Sequence, residues 1–195
     1  MNRDMDAAER LKYEKMWGLQ EYRISSPDAA FVAGAFKDLI EPGASVNIYG
    51  CGPGRAGLFL TAAGHQVSMC DIADNCLDPA VKTEVILGRI GFVRSNIKHI
   101  AGWMKPADWG LCCDVMEHLP EEWIFTVLAQ IRLLTPRTFF SIGTNPDTFG
   151  ERIGETLHLT VRLASWWANV FADVWGRDFN VPEDHGGQII IVTGG

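Results

Sequence analysis

No apolar run in the 195 residues approaches the length of roughly 20 needed to cross a bilayer, so no membrane partner is expected. Met1 to Arg10 is polar and charged and lacks the apolar stretch of a secretion signal, which predicts a cytoplasmic protein. Cations are scarce: 17 Lys and Arg stand against 24 Asp and Glu, a net charge of −7. Broad binding of phosphate backbones needs clustered Lys and Arg, so nucleic acid is not an expected partner. The five cysteines, Cys51, Cys70, Cys76, Cys112 and Cys113, contain no Cys-x-x-Cys pair. Metal-ligand spacings are therefore missing, and no metal is expected. The thiols read as reduced, buried small hydrophobes. There is no internal repeat and no low-complexity run, and no feature specifies an oligomeric state.

What is present is ordinary globular material: 47% hydrophobic and 21% charged residues, in a chain long enough to bury a full core. Two leading helices are predicted, over 7–19 and 27–40, the second ending before Pro42-Gly43. Strand and helix signals then alternate. Strands are predicted at 45–49, 66–70, 90–94, 109–113 and 137–142, with helices at 54–63, 78–87 and 121–134. Such alternation implies a parallel sheet covered on both faces. The tail reads as a helix at 165–172 and strands at 173–179 and 188–193, which a short turn-rich link would pair antiparallel. The expected fold is α/β: a doubly wound, mostly parallel, seven-stranded sheet with helices on both faces and a C-terminal antiparallel hairpin. Residues 1–40 are expected to form N-terminal helices serving as lid or cap, and 41–195 the core domain.

One stretch carries chemistry. Val46 to Tyr49 runs into Gly50-Cys51-Gly52-Pro53-Gly54, three glycines at alternate positions, and then a helix. Glycine is required where backbone turns sharply or approaches a ligand closely. The next strand ends on Asp71, a carboxylate placed across the crevice to accept hydrogen bonds from two ribose hydroxyls. Together they predict a nucleoside-containing cofactor. Cys113 and Asp114 end the fourth strand, where this architecture opens its ligand crevice.

The order of elements, with these residues on it, resembles the class I S-adenosylmethionine-dependent methyltransferases over about residues 45 to 193. Gly50 to Gly54 looks like the family's glycine motif, and Asp71 like its acid after the second strand. Ser95-Asn96-Ile97 sits where the family places an adenine-contacting loop. An acid is frequent there; Asn96 instead offers a side-chain carbonyl to the adenine amine, and Ile97 or its backbone contributes. Ile72 packs on adenine. Cys113-Asp114-Val115-Met116-Glu117-His118-Leu119 looks like the segment after the fourth strand, with a Glu-His-Leu triplet common among small-molecule members. The resemblance makes Gly50, Cys51, Gly52, Gly54, Asp71, Ile72, Asn96, Ile97, Cys113 and Asp114 the expected cofactor contacts. It also makes the leading helices a lid, with Trp17 packing on the ligand and Tyr22 or Arg23 meeting the methionine carboxylate. The implied cofactor is S-adenosyl-L-methionine.

Methyl transfer from a sulfonium is an in-line displacement, so alignment and exclusion of water are the main tasks. A base is needed only when the acceptor holds its proton. Candidate bases are His118, His158 and Asp114, with Glu117 behind them. The expected acceptor is a small molecule. The Asn/Asp-Pro-Pro-aromatic run of DNA amino-methyltransferases and the Pro-Cys dipeptide of the cytosine-C5 enzymes are both absent. Two other readings remain open. Gly52-x-Gly54-x-x-Gly57 matches the fingerprint of NAD(P)-dependent oxidoreductases, although none of Tyr13, Tyr22 and Tyr49 has the lysine partner of the short dehydrogenases. The other is a catalytically inactive, cofactor-binding partner subunit.

Overall fold

The computed structural model describes residues 2–25, 35–180 and 183–194. The predicted helix over 27–40 falls mostly outside them, and residues 35–37 are helical. Two helices, α1 (Asn2–Trp17) and α2 (Gln20–Ser25), precede the sheet. Then come β1 (Ser45–Tyr49), α3 (Arg55–Ala62), β2 (Gln66–Asp71), α4 (Pro79–Ile86) and β3 (Ile90–Arg94). The second half holds β4 (Trp109–Cys113), α5 (Glu121–Leu134), β5 (Arg137–Gly143), α6 (Ala164–Trp175) and β6 (Gln188–Val192). Short 3-10 turns at Ile97–Gly102, Met116–His118 and Gly150–Ile153 fill the loops. Among the described residues no helix is long and apolar enough to cross a membrane.

The sheet order is β3-β2-β1-β4-β5-β6. All neighbours are parallel except β5 and β6, where Phe140 faces Ile191 in an antiparallel ladder. The direction of strand succession reverses between β1 and β4. In such sheets the loops diverge there, and a crevice opens beyond the C-terminal strand ends. The start of β1 is pinned to β4's approach by Asp108, whose Oδ2 accepts from Ser45 N at 2.8 Å and Ser45 Oγ at 2.7 Å.

Side-chain alternation sends the strands' apolar residues into two cores. Tyr49, Cys70, Cys112 and Phe140 face α5 and α6, while Ile48, Met69, Leu111 and Phe139 face the other way, with Phe36, Leu60 and Val81. α5 buries Trp123, Ile124, Val127, Leu128, Ile131 and Leu134, a stripe at helical period. Glu121 and Glu122 occupy its first turn, where the helix dipole favours negative charge. Tyr49 is fully buried, and its hydroxyl is satisfied by Thr135 Oγ1 at 2.9 Å.

Among the described residues the sheet has six strands rather than seven. The expected strand at 173–179 is the end of α6 plus a loop. Trp167, Phe171, Val174 and Trp175 are all buried, and their spacing follows a 3.6-residue period. That stripe holds the helix together through Trp175 until Gly176, at φ +68°, stops it. What survives of the hairpin's first strand is one antiparallel bridge from Phe179 to Thr193. The Trp166-Trp167 pair divides: Trp167 is wholly buried and Trp166 packs edge-on against it at 4.9 Å. Phe171 stacks on Trp175 at 5.4 Å and meets Phe140 edge-on at 4.9 Å. Phe171→Ala is expected to lower stability by about 3–5 kcal/mol, read by urea denaturation; a loss under about 1 kcal/mol would show that α6 does not anchor this core.

Candidate functional site

The crevice at the β1/β4 switch point has three walls. The first is the turn from β1 into α3. The amides of Gly50 and Cys51 both donate to Cys70 O, at 2.9 and 3.0 Å, which bends the chain back over β2. Gly50 (φ +68°) and Gly52 (φ +50°) lie in the left-handed region. A Cβ on Gly50 would stand 2.3 Å from Val115 Cγ2, and one on Gly52 would stand 3.1 Å from the Trp17 ring. Asp71 closes this wall. Its Oδ2 accepts from Gly52 N at 2.9 Å and its Oδ1 from Ala73 N at 3.0 Å. A carboxylate has about four lone-pair positions, so these backbone bonds leave room on it for a ligand. Burial pushes Asp71 up to about 6, against the pull of these amide bonds.

The second wall follows β4. Asp114 is the one non-glycine among the described residues with positive φ, at 52°. Such backbone is held only where its surroundings enforce it. Here Asp114 N donates to Ser141 O at 2.8 Å, and Gln188 Nε2 donates to its Oδ1 at 3.0 Å. Burial raises the Asp114 carboxyl above its usual range. Glu117 is 1% exposed, with Oε1 accepting from Gly143 N at 2.7 Å. Burial, and then the charge of Asp114, push it up to about 8. The His118 ring meets the His158 ring edge-on at 4.7 Å. Burial, reinforced by His158, holds His118 down to about 3, so it is neutral at physiological pH. His158 Nδ1 lies 2.6 Å from Asn145 O.

The third wall is α1. Glu9, Tyr13 and Trp17, spaced four apart on one helical face, all line the crevice, and Tyr22 from α2 joins them. Trp17 and Tyr22 pack at 4.8 Å, and Phe149 meets Tyr22 at 5.6 Å. The walls enclose two adjoining cavities of about 110 and 480 Å³. Asp71, Ile72, Asn96 and Ile97 line the smaller, and Cys51, Cys113, Glu117 and His158 the larger. Trp17, Tyr22, Gly50, Gly52, Asp114 and His118 border both.

Solved structures share this fold. The chain is 19% identical to magnesium protoporphyrin IX methyltransferase from Synechocystis PCC 6803 with bound S-adenosylhomocysteine, covering 85% of this chain and 81% of that one at TM-score 0.60. It is 20% identical to 1,6-didemethyltoxoflavin-N1-methyltransferase from Burkholderia thailandensis, solved with 1,6-didemethyltoxoflavin and S-adenosylhomocysteine, over 99% of this chain and 90% of that one, TM-score 0.66. A TehB-like S-adenosylmethionine-dependent methyltransferase from Corynebacterium glutamicum matches at 18% identity, 97% and 100% coverage and TM-score 0.64. The fold is that of the class I S-adenosylmethionine-dependent methyltransferases. No protein-family model and no curated protein sequence matches the chain.

On this methyltransferase fold most expected site residues converge on the crevice. Two do not meet it in the way the sequence implied. Arg23 lines neither cavity. Its guanidinium donates to Asn75 O at 2.9 Å, Cys76 O at 2.8 Å and Asp78 Oδ1 at 3.1 Å, tying α2 to the loop after β2. Gly54 faces inward to Val81, 2.6 Å from the site of a Cβ, so its lack of a side chain serves helix packing. Asn96 does line the smaller cavity, but its Oδ1 caps the following 3-10 turn through Lys98 N at 3.0 Å. Its Nδ2 donates to Asp6 Oδ1 at 2.8 Å, fastening α1 to the third strand's loop. A hydrogen bond with Cys76, and then burial, hold the Cys51 thiol well above its ordinary range; burial does the same for Cys113. Neither thiol is a nucleophile at neutral pH.

Two crevice residues, Tyr13 and Glu117, stand out more in the structure than in the sequence. Tyr13 has a buried hydroxyl without a partner. The Glu9-Tyr13-Trp17 spacing was the available signal for it. In the sequence nothing marks Glu117 as buried, and it stands behind the histidines. Only the packing of the segment after β5 against it makes it buried.

Proposed function

We propose that this protein is an S-adenosyl-L-methionine-dependent methyltransferase acting on a small molecule. The observation that supports this most is the Asp71 carboxylate, 8% exposed, fixed by two backbone amides and facing the crevice opposite the Gly50–Gly52 turn. In this reading each Asp71 oxygen takes one ribose hydroxyl. Ile72, Asn96 and Ile97 flank the adenine, and the turn from Gly50 through Gly52 passes the methionine part, with Cys113 and Asp114 opposite. In this reading the N-terminal region 1–40, through its described helices α1 and α2, serves as lid to the core domain assigned to 41–195. Trp17 and Tyr22 are its ligand-facing groups, while Arg23 holds the lid's second helix in place.

The larger cavity takes the acceptor. Proton removal there falls to Asp114, His118 or His158. His158 is the best oriented of the three: Nδ1–H on Asn145 O leaves the Nε2 lone pair free. The structural neighbours named above include enzymes for a porphyrin and a toxoflavin precursor, which supports a small-molecule acceptor. All five thiols are free, which suits a reducing compartment, and the proposed location is the cytoplasm.

Calorimetric titration with S-adenosylhomocysteine and, separately, NADH tests this. Binding of the first at about micromolar Kd, about −8 kcal/mol, without binding of the second is the expected result. NADH binding alone would turn the reading to an oxidoreductase. Donor binding without transfer of labelled methyl to any pool of metabolite acceptors would turn it to an inactive partner subunit.

A further inference from the structure

Three side chains in the larger cavity have lone pairs that the protein itself leaves bare. Glu117 Oε2 is buried and has no partner, although Oε1 is held by Gly143 N. His118 Nδ1 is likewise buried and unpartnered, while its ring bonds the backbone at Leu157. His158 is anchored through Nδ1 to Asn145 O, which leaves its Nε2 lone pair outside that bond. One donor atom from each residue lies within 4.8 Å of the other two. Bare buried acceptors are costly, and two of them beside the half-buried His158 imidazole form a recess that a cation would satisfy.

We propose that Glu117, His118 and His158 form a binding site for a divalent first-row transition-metal ion. Two imidazoles and one carboxylate suit Zn²⁺, Mn²⁺ or Fe²⁺, whereas Mg²⁺ and Ca²⁺ prefer oxygen ligands throughout. Metal–ligand distances of about 2.1 Å place neighbouring donors about 3–4 Å apart, so closing on an ion asks for movements of about 1 Å or less. The outer contacts that orient ligands in such sites are already in place: Gly143 N on Glu117, Asn145 O on His158 and the Leu157 backbone on His118. The carbonyl of Glu117 also accepts from Leu159 N at 2.8 Å and Thr160 N at 2.9 Å. These two bonds lock the segment carrying His158 onto the turn carrying Glu117 and His118. Three protein ligands leave coordination positions open toward the cavity, where an acceptor oxygen or nitrogen would complete them. With an ion bound, the His158 Nε2 lone pair holds the metal. An acceptor hydroxyl on an open position would then be acidified by the ion and lose its proton to solvent. Ion binding itself does not depend on the methyl-transfer reading.

The test uses the full chain, stripped with a chelator and titrated with Zn²⁺ by calorimetry and with Co²⁺ by visible absorption. The expected result is one Zn²⁺ per chain, Mg²⁺ weaker by about a hundredfold or more, and Co²⁺ bands of a coordinated low-symmetry ion. Glu117→Gln keeps the shape and the Gly143 bond, and His158→Gln keeps much of the ring's volume. Each should weaken Zn²⁺ by about a hundredfold. Circular dichroism melts establish that the variants fold, and Glu117→Asp replaces Glu117→Gln if the latter does not. No Zn²⁺ uptake by the wild type, or unchanged affinity in the variants, overturns the site. S-adenosylhomocysteine is titrated into the same samples: its binding without Zn²⁺ uptake rejects the ion site and leaves the nucleoside reading intact.

Discussion

Asp71→Ala is expected to weaken S-adenosylhomocysteine binding by about a hundredfold or more, since two charge-assisted hydrogen bonds at about 1.5–3 kcal/mol each are lost. The alanine also strands the amides of Gly52 and Ala73, which now donate to the carboxylate at 2.9 and 3.0 Å. Part of the loss is therefore disorder in the glycine turn itself. Asp71→Asn separates the two effects. Its single carbonyl can keep one amide but not both, and the negative charge is gone. Calorimetry should place it between the wild type and alanine; an unchanged affinity in Asp71→Ala would remove the nucleoside from this wall of the crevice.

The same carboxylate sets a pH dependence. Burial raises Asp71 from 3.8 to about 6 in the folded chain. The unfolded chain ionises it more readily, so the ligand-free protein loses stability as pH rises from about 4 to about 6, by roughly 3 kcal/mol at most. Ribose hydroxyls prefer the ionised form, so cofactor binding should weaken as pH falls below about 6. Binding there should release a proton, visible as a dependence of the calorimetric heat on buffer ionisation enthalpy. Asp71→Asn should flatten both profiles.

Gly50→Ala is expected to lower stability by about 2–5 kcal/mol, with about 1–2 from the left-handed backbone and 1–3 from overpacking. In a chain of this size that is a fall in Tm on the order of 10 °C. The obstacle is Val115, whose Cγ2 stands 2.3 Å from the new Cβ and whose branched χ1 has little freedom to turn away. Val115→Ala in the same chain should recover the overpacking share and leave the backbone share. If the double variant is no more stable than Gly50→Ala, Val115 is not what forbids a side chain at position 50. The glycine therefore lets the turns after β1 and β4 touch.

The parallel part of the fold was legible almost to the residue because its central strands carry short, largely apolar runs, Ile48-Tyr49, Leu111-Cys112-Cys113 and Phe139-Phe140. Continuous burial on both sheet faces demands that pattern. The error at 173–179 came from reading Val174 and Trp175 as a strand, when with Trp167 and Phe171 they continue a helical stripe. Spacing across the predicted boundary decides between the two periods. That Asp71, Gly50 and Gly52 border the crevice was legible, because backbone conformation and one charge define those positions. Arg23 was not, because a cation near a ligand crevice and a cation bonding the loop at 75–78 look identical in one dimension.

The order of strands and helices, the crevice at their switch point and the carboxylate at its lip follow from local patterns, which depend only on neighbours in the chain. The burial of Glu117, the meeting of His118 with His158 and the closure of α1 over the turn follow from long-range contacts. Whether a carboxylate or imidazole keeps its water or is left with a bare lone pair depends on what the rest of the chain lays against it. That decision belongs to tertiary packing.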